Sequence, residues 1–211
     1  ELHPLQLHRL MLLPDGRVFG TGQGYKGRFL FDPATDDITY LGDGGASLYA
    51  LAVCGDKLYW SGYPSAPIYE FDPAKAWTVE KVGGPGSEPI PEESADSNPR
   101  RVHADFFALY NQTRVKKMLS GALAADGRLY FAGAGQRDYD GGGLSWYDPK
   151  TGATGGFWRP FANRSLGWAT TAVNGRYLVV GAEGSKCFIY DTAARGEGEM
   201  ADAPALVGEF E

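Results

Sequence analysis

Arg17-Val18-Phe19-Gly20-Thr21-Gly22 returns three times along the chain, as Lys57-Leu58-Tyr59-Trp60-Ser61-Gly62, Arg128-Leu129-Tyr130-Phe131-Ala132-Gly133 and Arg176-Tyr177-Leu178-Val179-Val180-Gly181, each followed by an aromatic-Asp pair. In the first, second and fourth copies the Asp (Asp32, Asp72, Asp191) lies ten residues after the closing Gly; in the third (Asp148) it lies fifteen after, so five residues are added there. Self-similarity at this spacing marks a repeat protein.

Each copy reads as a small antiparallel sheet, because short apolar runs are separated by Gly, Asp, Asn and Pro at intervals too short for helices. In the first copy Leu10–Leu13 is one run, Asp15-Gly16 a hairpin turn, Arg17–Thr21 the second run, Gly22–Gly27 a loop and Phe29–Phe31 the third run. Asp32–Asp37 then turns the chain into a fourth run, Ile38–Leu41. The later copies repeat the order: Leu48–Val53 through Thr78–Val82, Met118–Ala124 through a segment ending near Trp158, and Trp168–Val173 through Leu206–Phe210.

A four-stranded sheet recurring about every 40 residues is the signature of blades stacked around an axis. In its Asp-Gly-Arg-aromatic turn and its Phe/Tyr-Asp-Pro-x-Thr/Lys corner the chain resembles the kelch, NHL-repeat and quinoprotein-like propellers, over essentially its whole length apart from residues 83–116. The Trp-Asp ending and the double-glycine kelch signature are absent. The resemblance implies an all-β β-propeller of four-stranded antiparallel blades, at about residues 8–42, 47–82, 117–160 and 166–211 of one propeller unit. A helical or coil insertion occupies 83–116. At the Asp-Pro corner the Asp side chain is expected to accept from the turn's backbone donors while Pro presets the turn dihedral.

The 211 residues are 43% hydrophobic and 13% aromatic with a net charge of −6, enough for one substantial core in a soluble globular chain. No run approaches the roughly 20 apolar residues of a membrane span. Lys plus Arg number 20 against 26 acids, which argues against nucleic acid as partner, since phosphate binding needs a basic face. Cys54 and Cys187 fall on strands of different units and are expected to be free and structural; no Cys-x-x-Cys spacing offers a metal, haem or redox site. Asn111 and Asn163 begin glycosylation-type triplets that arise readily by chance. The compartment is left open by these features, with a periplasmic or extracellular one favoured.

Four units either close on themselves or form part of a larger ring of roughly six to eight blades. The larger ring is the expectation, from the abrupt start at Glu1 and end at Glu211; an open part of it leaves the flanks of its end blades uncovered, to be capped or paired. Pairing of two chains, or association with the remainder of a larger propeller, would cover them.

In a four-stranded meander the connections between second and third strands, and from one blade to the next, emerge on one side. Both departures from the repeat are expected there: the insertion Gly83–Lys116 and the lengthened loop Ala134–Gly143. In the insertion Asn98 and Pro99 read as the start of a helix, with Phe106, Leu109, Tyr110 and Thr113 at helical spacing. An extra strand through 104–110 is the competing reading. His103, behind Arg100-Arg101, can act as a base or acid near neutrality, or can be an ordinary hydrogen-bonded histidine. The lengthened loop offers Arg137 for a carboxylate, Tyr139 for stacking or proton exchange, and Asp138 and Asp140 for a hard cation such as Ca2+, although no motif supports a metal or other cofactor. Tyr25, Tyr63 and Trp168 could line the same face.

This set is similar in residue type to that of propeller proteins that degrade acidic polysaccharides. That similarity implies a uronate glycan bound or cleaved by β-elimination, with His103, Tyr139 and Arg137 catalytic and Arg101, Asp138, Asp140, Tyr25, Tyr63 and Trp168 holding substrate. Polysaccharide lyase or other glycoside chemistry is the enzyme class in view. The opposing reading is a non-catalytic propeller that presents this face to a protein or glycan partner.

Overall fold

The computed structural model describes residues 6–22, 27–42, 47–63, 66–79, 96–103, 115–135, 142–158, 166–182, 186–196 and 204–210. All regular structure among them is strand. Blade I comprises β1 (Leu7–Leu12), β2 (Val18–Gly22), β3 (Arg28–Asp32) and β4 (Asp37–Gly42). Blade II holds β5 (Ser47–Cys54), β6 (Lys57–Tyr63), β7 (Ile68–Phe71) and β8 (Arg100–His103). Blade III holds β9 (Val115–Leu123), β10 (Leu129–Gly135), β11 (Gly142–Tyr147) and β12 (Thr154–Trp158). Blade IV holds β13 (Leu166–Val173), β14 (Tyr177–Ala182), β15 (Cys187–Arg195) and β16 (Pro204–Phe210). Each blade is an antiparallel meander in chain order, as the propeller reading requires.

The first strands meet in sequence, β1 with β5, β5 with β9 and β9 with β13, so the blades stack around their innermost strands. Directly opposed residues of an antiparallel pair share a face, and the register sorts each blade into two apolar sides. Between blades I and II, Phe19, Leu13 and Leu30 pack on Leu58, Trp60, Tyr69 and Phe71. Blades II and III meet through Ala50, Tyr59 and Ile68 against Leu129, Phe131 and Tyr147. Between blades III and IV, Tyr130, Ala132, Leu144 and Trp146 meet Leu178, Val180, Phe188 and Tyr190.

The Asp-Pro corner behaves as its chemistry requires. Asp32, Asp72 and Asp148 each accept, through Oδ1, the backbone N–H two residues on, from Ala34, Ala74 and Lys150 at 2.9–3.0 Å; Asp191, followed by Thr192 and not Pro, accepts likewise from Ala193 N at 2.9 Å within β15. The carboxylate satisfies a turn donor that has no ladder partner.

Two sequence expectations are corrected in blade II. Its fourth strand is β8, paired to β7, and not Thr78–Val82; Thr78 and Val79 carry no ladder. The expected helix beginning at Asn98-Pro99 is therefore replaced by a strand over Arg100–His103. Asn98 does cap, but it caps the corner after β7: its Nδ2 donates to the carbonyls of Asp72, Lys75 and Ala76, and its Oδ1 accepts from Asp72 N. The same polar side chain suits either a helix start or a turn, which is why the local pattern misled. Phe106, Leu109, Tyr110 and Thr113 lie outside the described residues.

The register of blade IV departs from that of the other three. Val18 faces Phe31, Leu58 faces Phe71 and Leu129 faces Tyr147, but in blade IV it is Leu178, not Tyr177, that faces the matching Tyr190. The fourth phrase is thus one residue out of step with the other three. A one-residue slip exchanges the two sides of a strand, so Leu178 and Val180, not Tyr177 and Val179, face blade III.

Candidate functional site

Splitting the presumed insertion around β8 divides it between the two ends of the stack. The β7–β8 connection leaves from the end that carries the first hairpins, whereas the chain after His103 leaves from the other. At the hairpin end, a cleft of about 440 Å3 is lined by Lys57, Glu70, Asp72, Lys75, Asp96, Ser97, Asn98 and Arg100.

Three strands of blade II build it. Lys57 begins β6, Glu70 sits in β7 directly opposite Tyr59 and Arg100, and Arg100 begins β8. Glu70 is buried, and it accepts from Lys57 Nζ at 2.8 Å, from Tyr59 Oη at 2.7 Å and from Arg100 Nε at 2.9 Å. Burial pushes its carboxyl upward, but the three donors outweigh burial and hold it below the ordinary carboxylate range. Burial, with the hydrogen bond to Glu70, drives the Tyr59 hydroxyl far above its usual value. The Arg100 guanidinium is pushed up by the same carboxylate. Asp72 and Lys75 pair at 3.6 Å on the rim.

Within this cluster Glu70 acts as an ion-pair and hydrogen-bond acceptor. Glu70 stays ionised with its oxygens engaged, and Tyr59 stays protonated at any neutral pH. The cleft's formal charges balance, Lys57, Lys75 and Arg100 against Glu70, Asp72 and Asp96; Glu70 is 8% exposed, whereas Lys75 is 70% and Arg100 41% exposed and Asp96 also faces solvent. Among the described residues no group of three His, Cys, Asp or Glu gathers where a metal ion could sit.

The residues expected from sequence have a different placement. His103 ends β8, with its backbone opposite Ile68, and Arg101 lies two positions earlier opposite Tyr69. Tyr63 ends β6, and Trp168 lies in β13. The strand ends that flank residues 137–140, at β10 and β11, lie on the same end of the stack as His103 and Tyr63. Arg137, Asp138, Tyr139, Asp140 and Tyr25 lie outside the described residues. Sequence reading missed Glu70 and Arg100 as partners, since they are 30 residues apart; the one available signal was an acid inside a strand, Tyr69-Glu70-Phe71, where burial demands a partner.

No family model matches the chain, and no curated protein matches it. Solved structures do, and they are β-propeller proteins. The nidogen/laminin complex aligns at TM-score 0.54 and 13% identity, covering 84% of this chain and 56% of that one. Hydrazine synthase of Kuenenia stuttgartiensis aligns at 0.55 and 16%, covering 87% and 45%. YCF48 bound to D1 peptide aligns at 0.53 and 9%, covering 95% and 56%. The four sheets are thus propeller blades, and the chain spans about half the length of the structures it matches.

Proposed function

We propose that the protein is a non-catalytic propeller scaffold that binds an acidic peptide segment of a protein partner at the hairpin-end cleft. The observation that carries this reading is the saturation of buried Glu70 by Lys57, Tyr59 and Arg100, with the exposed ends of Lys75 and Arg100 at the mouth of the cleft beside Asp72 and Asp96. The propeller of the nidogen/laminin complex and the YCF48 with D1 peptide are both seen with a protein or peptide partner, which supports a binding role at the level of the fold. Fluorescence anisotropy with a labelled Asp/Glu-rich peptide and a Lys-rich one of equal length tests it. The acidic peptide should bind more tightly, and Lys75→Glu should weaken that binding by about tenfold, the scale of one exposed charge reversal at low salt. Equal binding of both peptides, or indifference to Lys75→Glu, overturns the proposal.

A second reading, an acidic glycan bound or cleaved at the opposite end, is favoured by one observation: β8 carries Arg101 and His103 towards the end where the β10–β11 connection starts. Incubation with polygalacturonate, followed by the ultraviolet absorbance of the unsaturated product, separates it from the first. Product formation lost in His103→Ala and Arg101→Ala supports this reading, and no product removes the β-elimination chemistry.

A further inference from the structure

Blade II packs on blade I through the cross-strand rows Val53–Leu58–Phe71 and Leu51–Trp60–Tyr69. The same positions of the repeat in blade I are Leu12–Val18–Phe31 and Leu10–Gly20–Phe29, continued onto β4 by Ile38 and Tyr40. Those rows point away from blade II. Leu12 and Ile38 are 66% and 69% exposed. At the other end of the stack, Val179, Ile189 and Phe210 lie on the side of blade IV turned away from blade III, and Phe210 is 57% exposed. Blade I therefore shows the side that every later blade presses onto its predecessor, and blade IV shows the side that every earlier blade offers to its successor.

The two sides complement each other as the internal contacts do. We propose that two copies of the chain close head to tail, blade IV of each against blade I of the other, into one ring of eight blades. Area supports this. The strands of blade I are 6, 5, 5 and 6 residues long, and at about 3.3 Å per residue and about 4.8 Å between strands each end side covers about 350 Å2. One seam joins two such sides, about 700 Å2, within the range of weak contacts; two seams bury about 1,400 Å2, the size of a stable association. Closure at two copies is thus what makes the contact hold, and an open chain of copies would be held by weak seams alone. The proposal is independent of the cleft in blade II.

Sedimentation velocity of the wild-type chain over a dilution series, alongside Leu12→Glu and Phe210→Glu, tests it. Both substituted side chains are exposed within a single copy, so each variant should fold, and circular dichroism checks that it does. The wild type is expected at twice the mass of the 22.8 kDa chain, and each variant, which carries its charge into both seams, should weaken the dimer by at least about a hundredfold. A monomeric wild type overturns the proposal. So does dissociation by one variant only, which means a contact between like sides, or growth to ever larger species, which means the seams do not close.

Discussion

Gly121 and Gly20 each sit opposite a phenylalanine in a neighbouring strand, Phe131 and Phe29, and in both pairs the ring fills the space a Cβ would need. Around Gly121 the carbonyl of Leu51 in blade II closes the contact and Phe131 is fully buried; on the outer side of blade I Phe29 is only half-buried. One cross-strand device has two different surroundings. The lesson is that the repeat writes the same apolar rows into every blade, and only the presence of a neighbour decides whether a row becomes core.

The largest expected effect of breaking that comparison lies in the seam between blades I and II. Trp60 is buried and stacks with Phe19, Tyr69 and Trp77, so Trp60→Ala should cost about 3–5 kcal/mol in urea unfolding. Ile38→Ala, on the uncovered side, should cost less than about 0.5 kcal/mol in the monomer. Similar losses from the two would mean that the outer side of blade I is packed in solution.

Gly121→Ala should cost about 1–3 kcal/mol, because the Phe131 ring is enclosed between two blades and has nowhere to move. At Gly20 the Phe29 ring can swing outward, and the cost should be the smaller of the two. Thermal denaturation of the pair sharpens the comparison directly, and equal costs would contradict it.

Glu70→Ala leaves Lys57, Tyr59 and Arg100 without their acceptor. Since Lys57 and Arg100 are more than a third exposed and regain water, the loss should be near 1–2 kcal/mol and not the larger figure of a fully buried pair. Acid should trace the same chemistry. Glu70, and Asp15 held down chiefly by its hydrogen bond from Arg17, have folded values below the ordinary 4.5 and 3.8. Their stabilisation is present in full above about pH 5 and is lost as pH falls through the folded values. His8 is lowered from 6.5 by burial and by Arg9, so it adds a smaller loss of stability as pH drops below 6.5. Guanidinium midpoints across pH 3 to 8 should therefore fall steadily on the acid side, and in Glu70→Ala the fall below about pH 5 should be shallower.

The smallest effects concern Ser61 and Ser145, buried in blades II and III with hydroxyls that meet no hydrogen-bonding group among the described residues. Their replacement by Ala should be neutral or stabilising by up to about 1 kcal/mol.

The strands, the hairpins and the Asp corners were legible in sequence because each rests on neighbours within a few residues. Val18, Phe29 and Phe31 announce a sheet by alternation, and Asp32, Asp72 and Asp148 announce a turn whatever surrounds them. The true fourth strand of blade II was not legible, since Asn98-Pro99 opens a helix as readily as it caps a corner, and β8 finds β7 only across 28 intervening residues. The step in blade IV was hidden because a register slip of one residue leaves the phrase intact and changes only what faces blade III. Glu70 with Arg100 was invisible for the same long-range reason.

Amide hydrogen exchange of the wild-type chain at low and high concentration tests the central claim most directly, that the outer sides of blades I and IV are seams awaiting a partner. Protection should rise with concentration in β1–β4 and β13–β16 while blades II and III, already covered on both sides, stay unchanged. Protection independent of concentration, or a rise spread evenly over all four blades, would contradict it.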